Sequence, residues 1–293
     1  MDGIKNGHVA LRGDDDNRLL DVWKRFRRRG PATVGFAILI LLLALTAAAP
    51  FLVRYSPTVQ DLSQSLLSPS ATHPFGTDHL GRDILTRILF GARLSLMLGV
   101  LAVGVGLVVG VPLGAISGYY GGWVDMLIQR LTDLLLSFPS FLLALSLVAI
   151  LGVGLGNVIL SVGIGTIPSF IRVVRAAVLV VREQPFVESA RAAGASNWRI
   201  LWHHIIPNIM APVIVQASLG MGNTILMAAG LGFLGLGVKP PAPEWGSMLG
   251  EGRQYIFSAW HMTTFPGLAI FLAVVAFNLV GDGLRDALDP RLR

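Results

Sequence analysis

The chain has 293 residues, of which 53% are hydrophobic and only 14% are charged. Soluble domains carry about a quarter charged residues, so this composition excludes an ordinary soluble protein and indicates a membrane protein. The absence of cysteine excludes a disulfide framework, a cysteine-ligated metal site and a thiol nucleophile. The formal charge of +6 does not indicate nucleic acid, because the basic residues cluster at the ends of apolar runs, where membrane topology places them.

Apolar runs without Asp, Glu, Lys or Arg divide the chain into membrane-spanning segments. A bilayer core of about 30 Å needs about 20 helical residues. The longest run has 38 residues, enough for two helices, and a cluster of glycine and asparagine at 152–157 provides the break between them. We therefore predict an all-α membrane protein with six transmembrane helices. The runs are 34–53, 94–124, 134–171, 208–238 and 254–280.

The third helix is expected to begin before its apolar run, near Trp123, because half of the 38-residue run is slightly too short to cross a bilayer. Its first end then carries Arg130 and Asp133, which lie three residues apart and can pair on one helix face. Such a pair is either an interfacial ion pair or part of a gate or subunit contact.

Polar and kink-forming residues within the runs are candidates for a translocation pathway. Pro139 lacks a backbone donor and is expected to bend the third helix after Ser137, either for packing or for a swing between inward- and outward-open states. Gln216, Gly220 and Asn223 share one face of the fifth helix. Polar groups inside a membrane face the protein interior or a water-filled path, so this face makes interhelical hydrogen bonds or lines the pathway.

The distribution of Lys and Arg orients the helices. With a cytoplasmic N-terminus, the segments on that side hold sixteen basic residues, against six on the other side. Both termini and the loop 176–207 are therefore predicted to be cytoplasmic. Basic residues 24–29, the first apolar run and the alanines 47–49 also imitate a cleaved signal peptide, but the run is longer than usual for one. We expect the first run to remain as a transmembrane helix.

The cytoplasmic stretch ESARAAGASNWRILWHHIIP, residues 188–207, is charged and rich in small residues between two apolar segments. Gln184 and Pro185 favour a helix start, Gly194 a left-handed turn, Ser196 a second helix N-cap and Pro207 that helix's end. Small side chains at the bend allow another surface to approach the backbone closely. The predicted docking residues are Glu188, Ser189, Ala190, Arg191, Ala192, Ala193, Gly194, Ala195 and Ser196.

The loop after the first helix, 54–93, is predicted to contain an amphipathic helix at 81–93. In it, Asp83 and Arg87 would pair on the polar face and the apolar face would lie along the outer membrane surface or under a partner's loop. The alternative to this helix is a metal cluster formed by imidazole and carboxylate groups of the same loop. It is the weaker hypothesis, because the spacing of these groups matches no tight metal site. Its members would be His73, Asp78, His79 and Asp83.

Several segments together resemble one transporter family. The spacing of Glu188-Ser189-Ala190, Gly194 and Ile206-Pro207 resembles the EAA motif of ABC importer membrane subunits, with Ser189 in place of alanine and Ile206 in place of leucine. Four further segments are similar to the C-type permease of dipeptide and oligopeptide importers: 73–96, 133–144, 230–249 and 281–291.

The resemblance implies a type I ABC importer permease fold in the bacterial plasma membrane. It also implies a B-type permease as heterodimer partner, two cytosolic ABC ATPases that hold ATP and Mg, and an extracytoplasmic solute-binding protein. The chain is not expected to bind a cofactor itself: its lysines, Lys5, Lys24 and Lys239, precede no Ser or Thr, so it lacks a phosphate-binding P-loop. The implied surface for the binding protein, or outer gate, comprises Glu244, Trp245, Glu251 and Arg253.

The predicted function is therefore a permease subunit for di- or oligopeptides, peptide-like solutes or metal chelates. The alternative is a secondary transporter or channel that works alone, but no charged residue lies at mid-depth in a run, where ion-coupled carriers usually keep one. The predicted organisation is an N-terminal tail, a first helix, an outer loop, a permease core that includes the loop 176–207, and a C-terminal tail. The bounds are 1–33, 34–53, 54–93, 94–281 and 282–293.

Overall fold

A computed structural model describes residues 22–288, so the predicted tail 1–20 and residues 289–293 lie outside the described residues. No β-strand forms within 22–288, and the all-α prediction is confirmed. Residues 22–28 are helical and precede a series of longer helices. These are α1 Gly30–Leu52, α2 Ile84–Tyr120, α3 Gly122–Leu136, α4 Ser140–Leu151, α5 Leu155–Val181, α6 Pro185–Ala192, α7 Asn197–Phe233, α8 Trp245–Gly252 and α9 His261–Leu288.

Five helices, α1, α2, α5, α7 and α9, are long and apolar enough to cross a membrane. The sixth crossing exists if α3 and α4 count as one span, and these two helices are bent by 85° at the break between them. Pro139 is the N-cap of α4, and the break falls where the sequence predicted a bend. The bend is much sharper than a kink. With 12 residues, α4 extends about 18 Å, too short to cross a bilayer core alone.

The predicted amphipathic helix at 81–93 is wrong as a separate element. Helix α2 starts at Ile84 and continues without a break for 37 residues, and the Asp83 carboxylate caps it by accepting the Thr86 N–H at 2.8 Å. Asp83 and Arg87 are both buried and do not pair with each other. The reason is tertiary: the region that the sequence assigned to the membrane surface is covered by α8 and α9.

Helices α2 and α5 pack together through a seam of glycines on α2. Gly106, Gly110, Gly114 and Gly118 are spaced four residues apart and therefore lie on one helix face. A Cβ atom added at Gly110 would lie 2.5 Å from the Phe170 Cβ, and one added at Gly114 would lie 2.7 Å from a backbone oxygen of α5. The two backbones can approach this closely only because the seam has no side chains.

Helix α3 is attached to α5 by ion pairs that the sequence did not predict. Arg175 donates two hydrogen bonds to the Asp125 carboxylate, each 2.6 Å, and Arg172 contacts Asp133 at 2.8 Å. The predicted pair between Arg130 and Asp133 does not form within residues 22–288. The reason is that α5 presents its arginines to the side of α3 that carries the carboxylates.

Adding a methyl group to the seam should separate the two helices. Gly110→Ala is expected to lower the free energy of unfolding by about 1–3 kcal/mol through overpacking. Gly104→Ala is the matched control on the same helix, because nothing lies within 4 Å of its Cβ position; it should be neutral or stabilising by up to about 1 kcal/mol. Thermal unfolding of both variants in detergent measures the difference. Equal destabilisation would contradict close packing of α2 and α5 at the glycine seam.

Candidate functional site

The predicted docking stretch folds as a short helical hairpin, residues 185–199, called here the 185–199 hairpin. Helix α6 starts at Pro185 and ends at Ala192, close to the predicted bounds. Gly194 has φ +80°, the left-handed conformation predicted for it. The Ala195 N–H then donates to the Ala190 carbonyl at 3.1 Å, which closes the helix end with the usual glycine C-cap pattern.

The second arm of the hairpin is capped as predicted but does not end where predicted. Ser196 accepts a hydrogen bond from the Arg199 N–H at 3.3 Å. Beyond it the helix continues as a π-helical segment, Ile200–Ile205, and a 3₁₀ segment, Ile206–Ile209, into the long apolar part of α7. Pro207 therefore lies inside a continuous helix, because wider and tighter turns around it accommodate the missing backbone donor.

Buried and polar contacts hold the hairpin on the ends of the long helices. The Val187 side chain is 1% exposed and packs in a cluster with residues of α2, α5 and α7, and Ala190 and Ala195 are half-buried beside it. The Tyr119 hydroxyl at the end of α2 donates to Asn197 Oδ1 at 2.9 Å. These contacts join the hairpin to the ends of all three helices.

Most of the predicted docking residues lie on the outer surface of the hairpin. Nothing lies within 4 Å of the Cβ position of Gly194, so glycine is required there for its backbone angle and the space beside it is open. The surface carries one acidic and one basic side chain among small ones, as the sequence predicted. Its exposed members are Glu188, Ser189, Arg191, Ala192, Ala193, Gly194 and Ser196.

The predicted pathway residues fall in two places. Gln216 and Gly220 are half-buried on α7, whereas Asn223 is exposed and its Nδ2 lies 3.7 Å from the Met227 sulfur. Ser137 and Pro139 are exposed at the break between α3 and α4. Within residues 22–288 no hydrogen bond joins the two groups, and their role in a pathway stays a prediction.

Helix α8 packs against α2 through two residues that the sequence assigned to an outer surface. The Glu244 carboxylate, 1% exposed, caps α8 by accepting the N–H groups of Gly246 and Ser247, both at 2.8 Å. Burial raises the pKa of Glu244, and these hydrogen bonds oppose that change. The Trp245 indole N–H donates to the Ile88 carbonyl at 3.0 Å.

Glu244 and Trp245 are thus structural residues, and the expected contact surface for a binding protein does not include them. Of the four predicted residues, Arg253 is exposed and Glu251 is partly exposed. Arg253 lies beside a cavity of about 260 Å³ at the end of α7, with its guanidinium 5.9 Å from the centre of the Phe233 ring. Lys239 and Glu251 also line this cavity, and most of the other residues that line it are apolar or glycine.

Four charged side chains form a buried network at the start of α2, called here the ion-pair cluster: Asp78, Arg82, Arg87 and Glu251. Arg82 contacts Asp78 at 2.6 Å and Glu251 at 2.8 Å, and Arg87 contacts Glu251 at 3.2 Å. Both arginine side chains are 1% exposed. The cluster joins the 54–83 loop to α8. The sequence can indicate the Asp78–Arg82 pair, because these residues are four apart. It gives no local sign that Glu251 joins them, because Glu251 lies far along the chain.

The metal cluster of His73, Asp78, His79 and Asp83, the weaker alternative from sequence, does not assemble among residues 22–288. His73 instead lies between the Asp83 carboxylate, 3.0 Å from its Nδ1, and the Gln64 Oε1, 2.8 Å from its Nε2. It also stacks on the Tyr55 ring, with centroids 4.7 Å apart. Both nitrogens of the imidazole therefore have polar partners within the protein. His73 connects the outer loop to the residue that caps α2.

A different trio, Asp78, His79 and Glu251, has ligand atoms within 4.8 Å of one another. The two carboxylates of this trio already contact the guanidinium groups of the ion-pair cluster. A divalent cation would have to displace those contacts and lie beside two buried positive charges, which is unfavourable. We therefore assign Asp78, His79 and Glu251 a structural role and not a metal-binding one.

Because of the ion-pair cluster, two substitutions close together in the chain, one on α8 and one just after it, should differ greatly in their effect on stability. Glu251→Ala leaves two buried guanidinium groups without their shared carboxylate and should lower the free energy of unfolding by about 3–5 kcal/mol. Arg253→Ala, two residues away and exposed, should change it by less than about 0.5 kcal/mol. The measurement is thermal unfolding of the purified chain, and similar melting temperatures for the two variants would refute a stabilising cluster.

Comparisons with known proteins agree with the membrane-spanning helical fold described above. Residues 110–293 match the family described as binding-protein-dependent transport system inner membrane component, and residues 17–69 match the N-terminal transmembrane domain of oligopeptide transport permease C. The chain is 50% identical over 273 residues to the dipeptide transport system permease protein DppC of Alkalihalophilus pseudofirmus, covering 93% of this chain and 90% of the relative. It is 46% identical over 274 residues to the glutathione transport system permease protein GsiD of Pectobacterium atrosepticum, covering 93% and 91%.

Among solved structures, the chain is similar to an inward-facing MetNI methionine ABC transporter, with a TM-score of 0.56 over 69% of this chain and 97% of the other. At 19% identity this likeness shows the fold alone. It confirms the predicted type I importer permease fold. The sequence relatives decide between the two functions left open by sequence, in favour of an importer permease. The chain belongs to the family of binding-protein-dependent transport system inner membrane components, and is a C-type permease subunit of an ABC importer.

Proposed function

We propose that this chain forms half of the translocation pathway of an importer for di- or oligopeptides or related solutes such as glutathione. Support for this substrate class comes from the permeases for dipeptide and glutathione that it resembles over nearly all of its length. A homologous B-type permease would supply the other half, and a solute-binding protein would deliver the ligand. The membrane is the bacterial plasma membrane, with both termini in the cytoplasm.

The observation that carries the proposal is the 185–199 hairpin, which is anchored on its inner side and open on its outer side. Val187 and the Tyr119–Asn197 hydrogen bond fix its position, while Glu188, Arg191 and the glycine bend face outward. Small exposed residues at the bend allow close approach of a groove on another protein. We assign that groove to a cytosolic ABC ATPase, which would hold the ATP and Mg.

Coupling then follows from how the hairpin is attached. When the partner ATPases close on ATP, the hairpin moves with them, and its buried contacts move the ends of α2, α5 and α7 together. The energy for the change must come from different contacts in the two conformations, since a ligand shifts an equilibrium only by its differential affinity. The sharp break between α3 and α4 and the predicted pathway face of α7 lie in the segments that would then rearrange.

On the opposite side, the open surface of the cavity at the end of α7 is the proposed contact for the binding protein or outer gate. Arg253 and Lys239 line it, and the accessible part of Glu251 borders it. The buried contacts of Glu244 and Trp245 would hold α8 in place beneath this surface.

The absence of cysteine permits a direct test of sidedness and docking, because a single introduced thiol has no background. Ala192→Cys in the hairpin should react with a membrane-impermeant maleimide only from the cytoplasmic side and should cross-link to the ATPase. Ser68→Cys in the exposed outer loop is the matched control; it should react only from outside and give no such cross-link. Labelling of the Ala192→Cys variant from outside would overturn the proposal.

A charge reversal at the hairpin should weaken ATPase docking and transport together. Glu188→Arg is expected to reduce uptake of radiolabelled dialanine at least about tenfold, as loss of one docking charge pair costs about 2–5 kcal/mol, and to reduce co-purification of the ATPase. Lys239→Glu, an exposed charge reversal beyond the opposite end of α7, should retain the ATPase. Normal uptake by Glu188→Arg would count against docking, and no dipeptide uptake by the wild-type complex would count against the substrate class.

A further inference from the structure

The residues that lead into α1 carry an unusual density of positive charge. Five of the six residues 24–29 are basic, and the first five of these six positions lie in a helical stretch that ends directly before α1. At 1.5 Å per residue, all of these charges lie within about 10 Å of the start of a membrane-spanning helix. We call this segment the basic collar: Lys24, Arg25, Arg27, Arg28 and Arg29.

Aromatic packing holds the collar in a defined place. Phe26 is 4% exposed and contacts α9, where a Cβ added at Gly283 would lie 2.8 Å from its ring. Trp23 stacks on Phe26 with centroids 5.8 Å apart and meets the Phe36 ring of α1 edge-on at 5.5 Å. The basic side chains around Phe26 are therefore presented from a fixed backbone.

Within residues 22–288, the ion pairs of the collar leave Arg27 and Arg28 without a carboxylate partner. Arg29 pairs with Asp286 on α9. Arg27 and Arg28 are exposed, and no ion pair joins either of them to a residue of 22–288. Two adjacent guanidinium groups thus face outward beside the point where the chain enters the membrane.

We propose that the basic collar binds the phosphate headgroups of anionic phospholipids of the phosphatidylglycerol class. Three features of the site match this ligand. The charges lie at the depth where headgroups surround a membrane-spanning helix. Guanidinium groups form paired hydrogen bonds with phosphate oxygens. The half-exposed indole of Trp23 is the side chain that membrane proteins place at the headgroup level.

The bound lipid fixes the depth of α1 and links it to α9. Phe26, which lies among the basic residues of the collar, and the Arg29–Asp286 pair both contact α9. A headgroup held by Arg27 and Arg28 therefore also stabilises the contact between α1 and α9. This inference does not depend on the substrate or on ATPase docking, because it uses only residues at the start of α1.

The test is native mass spectrometry of the full chain in detergent, with phosphatidylglycerol or phosphatidylcholine added in equal amounts. Wild-type protein should retain phosphatidylglycerol in preference to phosphatidylcholine. The double variant Arg27→Gln/Arg28→Gln should retain at least about tenfold less, since each basic residue near an anionic surface contributes a several-fold gain in affinity. Arg27→Lys/Arg28→Lys, which keeps the charge but loses the paired guanidinium hydrogen bonds, should retain more lipid than the glutamine variant and less than wild type.

The matched control is Lys239→Gln/Arg253→Gln, which removes the same charge from two exposed residues beyond the far end of α7 and should leave phosphatidylglycerol retention unchanged. Equal retention by the collar variant and this control would overturn the proposal. Equal retention of the two lipids by wild-type protein would overturn it as well. Displacement of the lipid by inorganic phosphate alone would show a site for free anions, and would also overturn it.

Discussion

The close contact between α2 and α5 is the constraint on which the rest of the structure depends. Four glycines on one face of α2 allow the two backbones to meet with almost no side chain between them. Two of the sites described above are attached to this pair. The 185–199 hairpin is held at the end of α2 and α5 by Val187 and Tyr119, and the ion-pair cluster lies at the start of α2.

Helix α2 therefore connects two sites of opposite character. One end holds a hairpin whose outer surface is open and carries small residues with one acidic and one basic side chain. The other end holds a buried network of two arginines and two carboxylates that fixes α8. With 37 residues, α2 is about 55 Å long, longer than a bilayer core requires, so both sites project beyond it. The two sites are therefore joined by one continuous helix that packs along α5.

The transmembrane segments and the hairpin could be predicted from sequence because their signals are local. Long uncharged runs indicate a membrane, glycine at position 194 favours a left-handed turn, and Ser196 is a preferred N-cap residue. The errors occurred where a neighbour far along the chain decided the outcome. Residues 81–93 have an amphipathic pattern typical of a membrane surface, but α8 and α9 cover this region. Glu244 and Trp245 were expected on an outer contact surface, but both are buried against α2.

The sequence by itself determined the class of protein, the positions of the apolar helices and the bend of the hairpin, because hydropathy and turn chemistry act over a few residues. Tertiary structure alone decided which charges pair. Arg87 exchanges its expected partner Asp83 for Glu251, and Asp133 exchanges Arg130 for Arg172. A charged side chain selects the partner that packing brings within about 3 Å, and that distance is set by the approach of whole helices and not by spacing along the chain.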